Sequence, residues 1–158
     1  MGEIIVYRQV LLSALNEVVN ELSKTVTAIP TRAWHIPLGP DSHTPHYTLA
    51  HLRELEARVF VPSLYRIQDE DSPRLPVFNA EAWMARYYQP GETVAEIIQE
   101  YAHSRSQELT WLRELPTVSW SRTARHPWWG VHTLQWWVEL QLDCSKQHVK
   151  QLTAFIAG

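Results

Sequence analysis

The sequence lacks the features that mark several specialised classes of protein. Its single cysteine excludes an intramolecular disulfide. The 14 lysines and arginines are scattered and the formal net charge is −3, whereas nucleic-acid binding needs clustered basic side chains. No apolar run approaches the roughly 18 residues that span a bilayer, and no signal peptide is evident. We therefore expect a cytoplasmic protein that binds neither nucleic acid nor membrane.

The residues that are present suit one ordinary globular domain, which we expect to span residues 1–158. Hydrophobic residues make up 45% of the chain and charged residues 20%, and this length can bury a core without disulfides. The chain is unusual in containing eight tryptophans and eight histidines. Large aromatic side chains fill cores and also line ligand pockets.

Apolar residues recur at helical spacing in four long segments, and alternating strand patterns are not convincing anywhere. The spacing predicts long helices over 3–26, 48–67, 93–116 and 133–156, and a short helix over 80–88. Thr93 and Glu96 form a capping box at the start of the third long helix, and Asn79 can cap the short one. Pro62 is expected to kink the second helix. The predicted fold is all-α, a four-helix bundle with long connections and one extra short helix.

Three side chains could hold a metal ion between facing helices. Cys144 and His148 lie one helical turn apart, so both can reach one ion. His51 lies beside the apolar face of the second helix, where an imidazole needs a hydrogen bond or a ligand. Without a metal, Cys144 would be a small core residue and His148 a hydrogen-bonded imidazole.

Three segments of the chain resemble the DinB superfamily. Residues 46–64 (HYTLAHLRELEARVFVPSL) resemble the helix that supplies that family's first ligand histidine. Residues 120–152, with LQWW before the Cys144/His148 pair and QL after it, resemble its carboxyl-terminal motif, and residues 73–83 resemble its usual loop. The resemblance implies a four-helix bundle with a metal held by three histidines. His51 then matches the first ligand and His148 the third, whereas Cys144 stands at the second, usually a histidine.

The resemblance also implies a function and a set of partners. A divalent metal, zinc or nickel, would activate water or a low-molecular-weight thiol co-substrate for hydrolysis or thiol transfer on a small molecule. Trp137, His126 and Trp129 are candidate pocket residues, the proton-transfer residue is not identified, and family members commonly form homodimers. The alternative is a non-catalytic binding or interaction module, because Cys144 would modify or abolish the metal site. DNA binding is a weaker third option that the acidic balance disfavours.

Overall fold

The computed structural model describes residues 2–156, most of which are helical. The helices are α1 Gly2–Ala28, α2 Pro45–Leu55, a π-helical segment Glu56–Phe60, α3 Val61–Asp69, α4 Ala80–Tyr87, α5 Val94–Glu114 and α6 Leu134–Thr153. Strands β1 Thr123–His126 and β2 Gly130–Thr133 form an antiparallel hairpin. The predicted all-α bundle is confirmed, and the hairpin is an addition that the sequence analysis missed. Across residues 2–156, no helix has the length and apolar character needed to cross a membrane.

Two of the three pairs of consecutive long helices lie at opposite corners of the bundle. The most extensive helix contacts join α1 with α5 and α6, and α2 with the same two helices. Thus α1 and α2 are diagonal, and so are α5 and α6. The long connections predicted from the sequence make this arrangement possible, because a short turn would have made neighbours of consecutive helices. As a result α2 and α6 pack side by side.

The second long helix runs without a break through α2, the π-helical segment and α3. Pro62 was expected to kink it, because proline lacks the N–H that an α-helix interior requires. The π-helical segment ends at Phe60, two residues before Pro62, and the Val61 N–H donates to the carbonyl of Glu56, five residues back. The segment therefore accommodates the proline without ending the helix. It begins at Glu56, a fully buried carboxylate.

Polar side chains fix where four of the helices begin. Each accepts a hydrogen bond from the backbone N–H three residues further on, which satisfies a group that the helix itself leaves without a partner. These caps are Thr44 for α2, Asn79 for α4, Thr93 for α5 and Thr133 for α6. The starts predicted at Asn79 and Thr93 are confirmed.

The hairpin β1–β2 joins the 3₁₀ turn Thr117–Ser121 to α6. His126 pairs with Gly130 across the turn, and Gly130 adopts a positive φ of 80° that glycine tolerates best. The backbone of Arg125 exchanges hydrogen bonds with Pro73 and Leu75, which attaches the preceding loop to the hairpin. The hairpin thus holds His126 and the neighbouring tryptophans beside the start of α6.

A cluster of polar side chains lies in the centre of the bundle, and we call it the buried polar cluster. Its members are Glu56, Tyr101, Arg105, Glu108, Gln141 and Ser145. The guanidinium of Arg105, 0% exposed, donates to both Glu56 oxygens at 3.1 and 3.0 Å and to the Leu15 carbonyl at 3.0 Å. It also donates to the hydroxyls of Tyr101 and Ser145. A buried charge is tolerated only when it is paired and hydrogen-bonded in this way.

The two buried glutamates of this cluster carry different charges. Burial alone would raise the pKa of Glu56, but Arg105 and the surrounding hydrogen bonds lower it, so this carboxylate is ionised. Burial and the nearby Glu56 charge raise the pKa of Glu108 well above its usual range. Glu108 Oε2 accepts no hydrogen bond within the described residues. A proton on Glu108 avoids the repulsion between two carboxylates buried in one cluster.

Candidate functional site

His51 of α2 and His148 of α6 face each other across the packed pair of helices. Their ring centroids are 5.2 Å apart and the ring planes are inclined by 57°. Both side chains are half-buried. An imidazole nitrogen lies about 2.0–2.1 Å from a bound zinc ion, so rings at this separation can reach a common ion. The structure therefore juxtaposes two of the three predicted ligands.

Each of the two histidines has a ring nitrogen that could bind a metal. The carbonyl of Cys144 lies 2.8 Å from Nδ1 of His148. Because a carbonyl only accepts hydrogen bonds, Nδ1 carries a proton, and Nε2 is the nitrogen that could bind a metal. Burial, followed by the neighbouring His148 and His43, lowers the pKa of His51 to about 4. His51 is therefore a neutral imidazole at neutral pH.

Cys144 lies beside this pair, with Sγ 3.6 Å from His148 Nδ1. The sulfur thus approaches the nitrogen that already bonds to the backbone. Burial and the charge of Glu56 raise the pKa of Cys144 to about 11, against the opposing effect of Arg105, so the side chain is a neutral thiol. Across residues 2–156, no three His, Cys, Asp or Glu side chains are grouped as metal ligands. The three-residue ligand set stays a prediction.

Aromatic side chains surround the amino-terminal end of α2. Tyr47 stacks on His43 with ring centroids 3.9 Å apart, and its ring lies 6.4 Å from that of His51. His46 is buried, and its two ring nitrogens lie 2.6 Å from the Tyr88 hydroxyl and from the Glu92 carbonyl. With both nitrogens occupied, His46 fastens α2 to the segment before α5 rather than offering a ligand.

A cavity of about 600 Å³ borders Cys144. The π-helical segment, α3, the loop 75–78, the hairpin turn and α6 enclose it, and its wall includes His126, Trp129 and Trp137. His126 stacks on Trp129 with centroids 4.2 Å apart, and Trp129 lies 5.5 Å from Trp137. The three candidate pocket residues therefore share one cavity, whereas their role in substrate binding stays a prediction.

Cys144 is the residue that the cavity and the histidine pair have in common. His51 and His148 touch Cys144 or each other, and the cavity wall reaches Cys144 along α6 through Trp137, Leu140 and Asp143. A molecule at the Cys144 end of the cavity would therefore be separated from His148 by the Cys144 side chain. The cavity volume of about 600 Å³ is within the usual range for small-molecule sites, about 300–1,000 Å³.

Sequence reasoning missed the buried polar cluster behind the histidine pair. A signal for it exists on α5, where Tyr101, Arg105, Glu108 and Leu112 follow one another at steps of four, three and four residues. That spacing defines one inward stripe. Arg105 and Glu108 interrupt the stripe at positions where apolar residues are expected, which indicates that they are paired inside the bundle.

These features describe a helical bundle with a candidate metal centre between two of its helices, a common way to build such sites. Residues 14–152 match the DinB superfamily, and the chain belongs to this family.

Two solved structures from Bacillus subtilis share the fold. YfiT, described as a probable metal-dependent hydrolase with an unusual four-helix bundle topology, superposes with a TM-score of 0.80 at 17% identity, covering 93% of this chain and 84% of YfiT. The DinB-like protein YjoA has a TM-score of 0.64 at 11% identity, with 93% and 90% covered. No curated protein matches the sequence of this chain. At these identities the likeness establishes the fold alone.

Proposed function

We propose that this protein is a metal-dependent enzyme of the DinB type that acts on a small molecule by hydrolysis or thiol transfer. The observation that carries the proposal is the approach of the His51 and His148 rings to 5.2 Å from two different helices. The fold that this chain shares with YfiT, a probable metal-dependent hydrolase, adds support. A bound divalent ion would supply Lewis acidity, which produces a nucleophile from water or from a low-molecular-weight thiol near neutral pH.

The two histidines suit such an ion better than the cysteine does. His148 presents Nε2, because its Nδ1 donates to the Cys144 carbonyl, and this kind of backbone contact commonly orients metal-binding histidines. Cys144 would have to give up its proton and turn Sγ away from Nδ1. A thiolate there favours zinc and also reduces the positive charge of the site. We therefore assign His51 and His148 as the principal ligands and Cys144 as the third.

The remaining residues of the site bind and shield the substrate. The cavity beside Cys144 has mainly apolar walls, and Trp137 and His126 are both buried in its wall. Such walls exclude bulk water and orient a ring or chain next to the histidine pair. The Nδ1 atom of His126 accepts the Trp128 backbone N–H at 3.1 Å, which holds the imidazole in place and leaves Nε2 protonated.

Elemental analysis of the protein purified without a metal-affinity tag tests this proposal directly. We expect about one divalent ion per chain in the wild type, and its loss in His51→Ala and in His148→Ala with the helical circular dichroism unchanged. His103→Ala is the matched control, since His103 is an exposed histidine of α5 outside the site. A folded wild-type protein that neither contains nor takes up zinc or nickel would contradict the proposal.

A second candidate, a binding module without catalysis, is favoured by the position of the Cys144 sulfur. Sγ lies 3.6 Å from Nδ1 of His148, the nitrogen that donates to the backbone and that a metal would not use. Restoring the usual histidine with Cys144→His separates the two candidates. Metal uptake by the variant but not by the wild type would mean that the natural site has been lost.

A further inference from the structure

A groove of about 450 Å³ lies between α1 and the carboxyl-terminal end of α5, and we call it the α1–α5 groove. No acidic side chain of the described chain lines it. None of its residues belongs to the histidine pair or lines the cavity beside Cys144. The groove is therefore separate from the proposed metal centre. The residues that define it are Arg8, Leu12, Leu112, Arg113, Leu115 and Trp120.

Arg8 is a half-buried charge without a carboxylate partner. Among the arginines of residues 2–156 that form no ion pair, it is the one that is not exposed. Burial lowers the pKa of Arg8, and no neighbouring carboxylate offsets this effect. A partly desolvated charge without a counter-charge carries a free-energy cost. This guanidinium therefore points to an anion that is supplied from outside the chain.

Neutral contacts hold the Arg8 guanidinium at the wall of the groove. Its Nε donates to Gln135 Oε1 at 2.9 Å and its Nη1 to the Thr117 carbonyl at 3.4 Å, and it lies 5.2 Å from the ring centre of Trp120. Thr117 and Trp120 line the groove themselves. The Nη2 atom has no partner within the described residues and is accessible to solvent. A ligand in the groove can therefore reach it.

The rest of the groove suits an aliphatic chain. Leu12 of α1 and Leu112 of α5 are buried, and both line the groove together with Leu115. Its α1 residues extend from Ile5 to Ser13, a span of about 12 Å at 1.5 Å per residue. An acid of medium chain length fits within this span, and its chain would cover leucine side chains that now border solvent.

We propose that the α1–α5 groove binds an amphipathic carboxylate, a small molecule with an aliphatic chain and one carboxylate that the Arg8 guanidinium contacts. Charge complementarity selects this occupant, because the groove offers a cation without a counter-charge beside an apolar wall. The planar guanidinium also matches the geometry of a carboxylate. Arg113 on the opposite helix adds a second positive charge that forms no ion pair within the described residues.

Octanoate and octanamide are matched probes, since they share one chain and only octanoate is charged at neutral pH. We expect the full-length chain, without added metal, to bind octanoate about tenfold more tightly, because hydrogen bonds between charged groups are stronger than neutral ones. Isothermal titration calorimetry below the concentration of micelle formation measures both affinities. The preference should decrease as salt is added.

Two variants locate the effect. Arg8→Met keeps an unbranched side chain but removes the charge, so we expect it to bind octanamide as before and to lose the preference for octanoate. Arg86→Met removes the charge of an exposed arginine of α4 that does not line the groove, and it should keep the preference. A preference that survives Arg8→Met, or equal affinities in the wild type, would overturn the proposal. Failure of octanoate to bind, as expected if a second copy of the chain covers the groove, would also overturn it.

A measurement on the wild type decides the matter even where Arg8→Met folds poorly. Nuclear Overhauser effects should connect the octanoate chain with the methyl groups of Leu12 and Leu112. Their absence from a sample saturated with octanoate would overturn the proposal. The proposed function is tested separately, because His51→Ala should keep the preference for octanoate whether or not the wild type contains a metal.

Discussion

The buried polar cluster and the histidine pair both place ionisable side chains between packed helices, but the protein satisfies them to different degrees. The Arg105 guanidinium contacts five acceptor atoms and is shielded from solvent. His51 and His148 are half-buried, and one backbone carbonyl orients His148. In the buried polar cluster, the hydrogen bonds of Arg105 stabilise the fold. In the histidine pair, ring nitrogens remain without protein partners in the part of the chain that the structure describes, which is what a ligand-binding site requires.

Glu56→Gln should have the largest effect on stability. It leaves the Arg105 charge buried beside a neutral amide, and breaking a buried ion pair costs about 3–5 kcal/mol. We expect that loss in the free energy of unfolding, measured by urea denaturation. Glu54→Gln is the control on the same helix, because its ion pairs are partly exposed and should change stability by about 1 kcal/mol or less. Similar losses of unfolding free energy in the two variants would show that the buried polar cluster does not stabilise the bundle more than a surface ion pair does.

Glu108→Gln should change the pH dependence of stability rather than abolish folding. In the unfolded chain Glu108 loses its proton near its ordinary pKa, whereas the folded state retains it because burial raises that pKa. The free energy of unfolding therefore decreases as pH rises above about 4.5. The lowered pKa of Glu56 acts below that window, where stability is lost as pH falls.

Thermal denaturation of the wild type and Glu108→Gln between pH 5 and 8 isolates this effect, since the histidines contribute equally to both proteins. We expect the variant to gain stability relative to the wild type as pH rises, because a glutamine has no proton to lose. Parallel curves over that range would mean that Glu108 is ionised in the folded protein.

His148→Gln should have the smallest effect on the metal-free protein. The side chain is half-buried and its hydrogen bond lies within its own helix, so we expect a change of about 1 kcal/mol or less. The contrast with Glu56→Gln in the same denaturation experiment sharpens the comparison of the two regions. A loss as large as that of Glu56→Gln would indicate that the histidine pair serves the fold.

Local signals predicted the helices well. Periodic apolar residues gave the four long helices, and the caps at Asn79 and Thr93 gave two exact starts. The hairpin escaped notice because each strand has only four residues, too few to establish an alternating pattern. The π-helical segment escaped notice because Pro62 predicts some departure from an α-helix without specifying which one.

Contacts between distant residues were harder to predict. Glu56 and Gln141 are 85 positions apart, and only the packing of α2 and α6 brings them within 2.8 Å. The same packing determines the separation of His51 from His148, which the sequence analysis expected from the resemblance of each segment to a family motif. The orientation of the Cys144 sulfur depends on a side-chain rotation, and no sequence pattern encodes that.

The hydrogen bonds of Arg105 have a consequence for how the bundle assembles. This α5 side chain contacts the Leu15 carbonyl of α1, Glu56 of the second long helix and Ser145 of α6, so its acceptors come from all the other long helices. A three-helix intermediate would bury the guanidinium with part of its hydrogen bonds unmade, at a substantial free-energy cost. Arg105 thus makes folding cooperative, because the last helix to dock completes a set of contacts that no partial bundle can form.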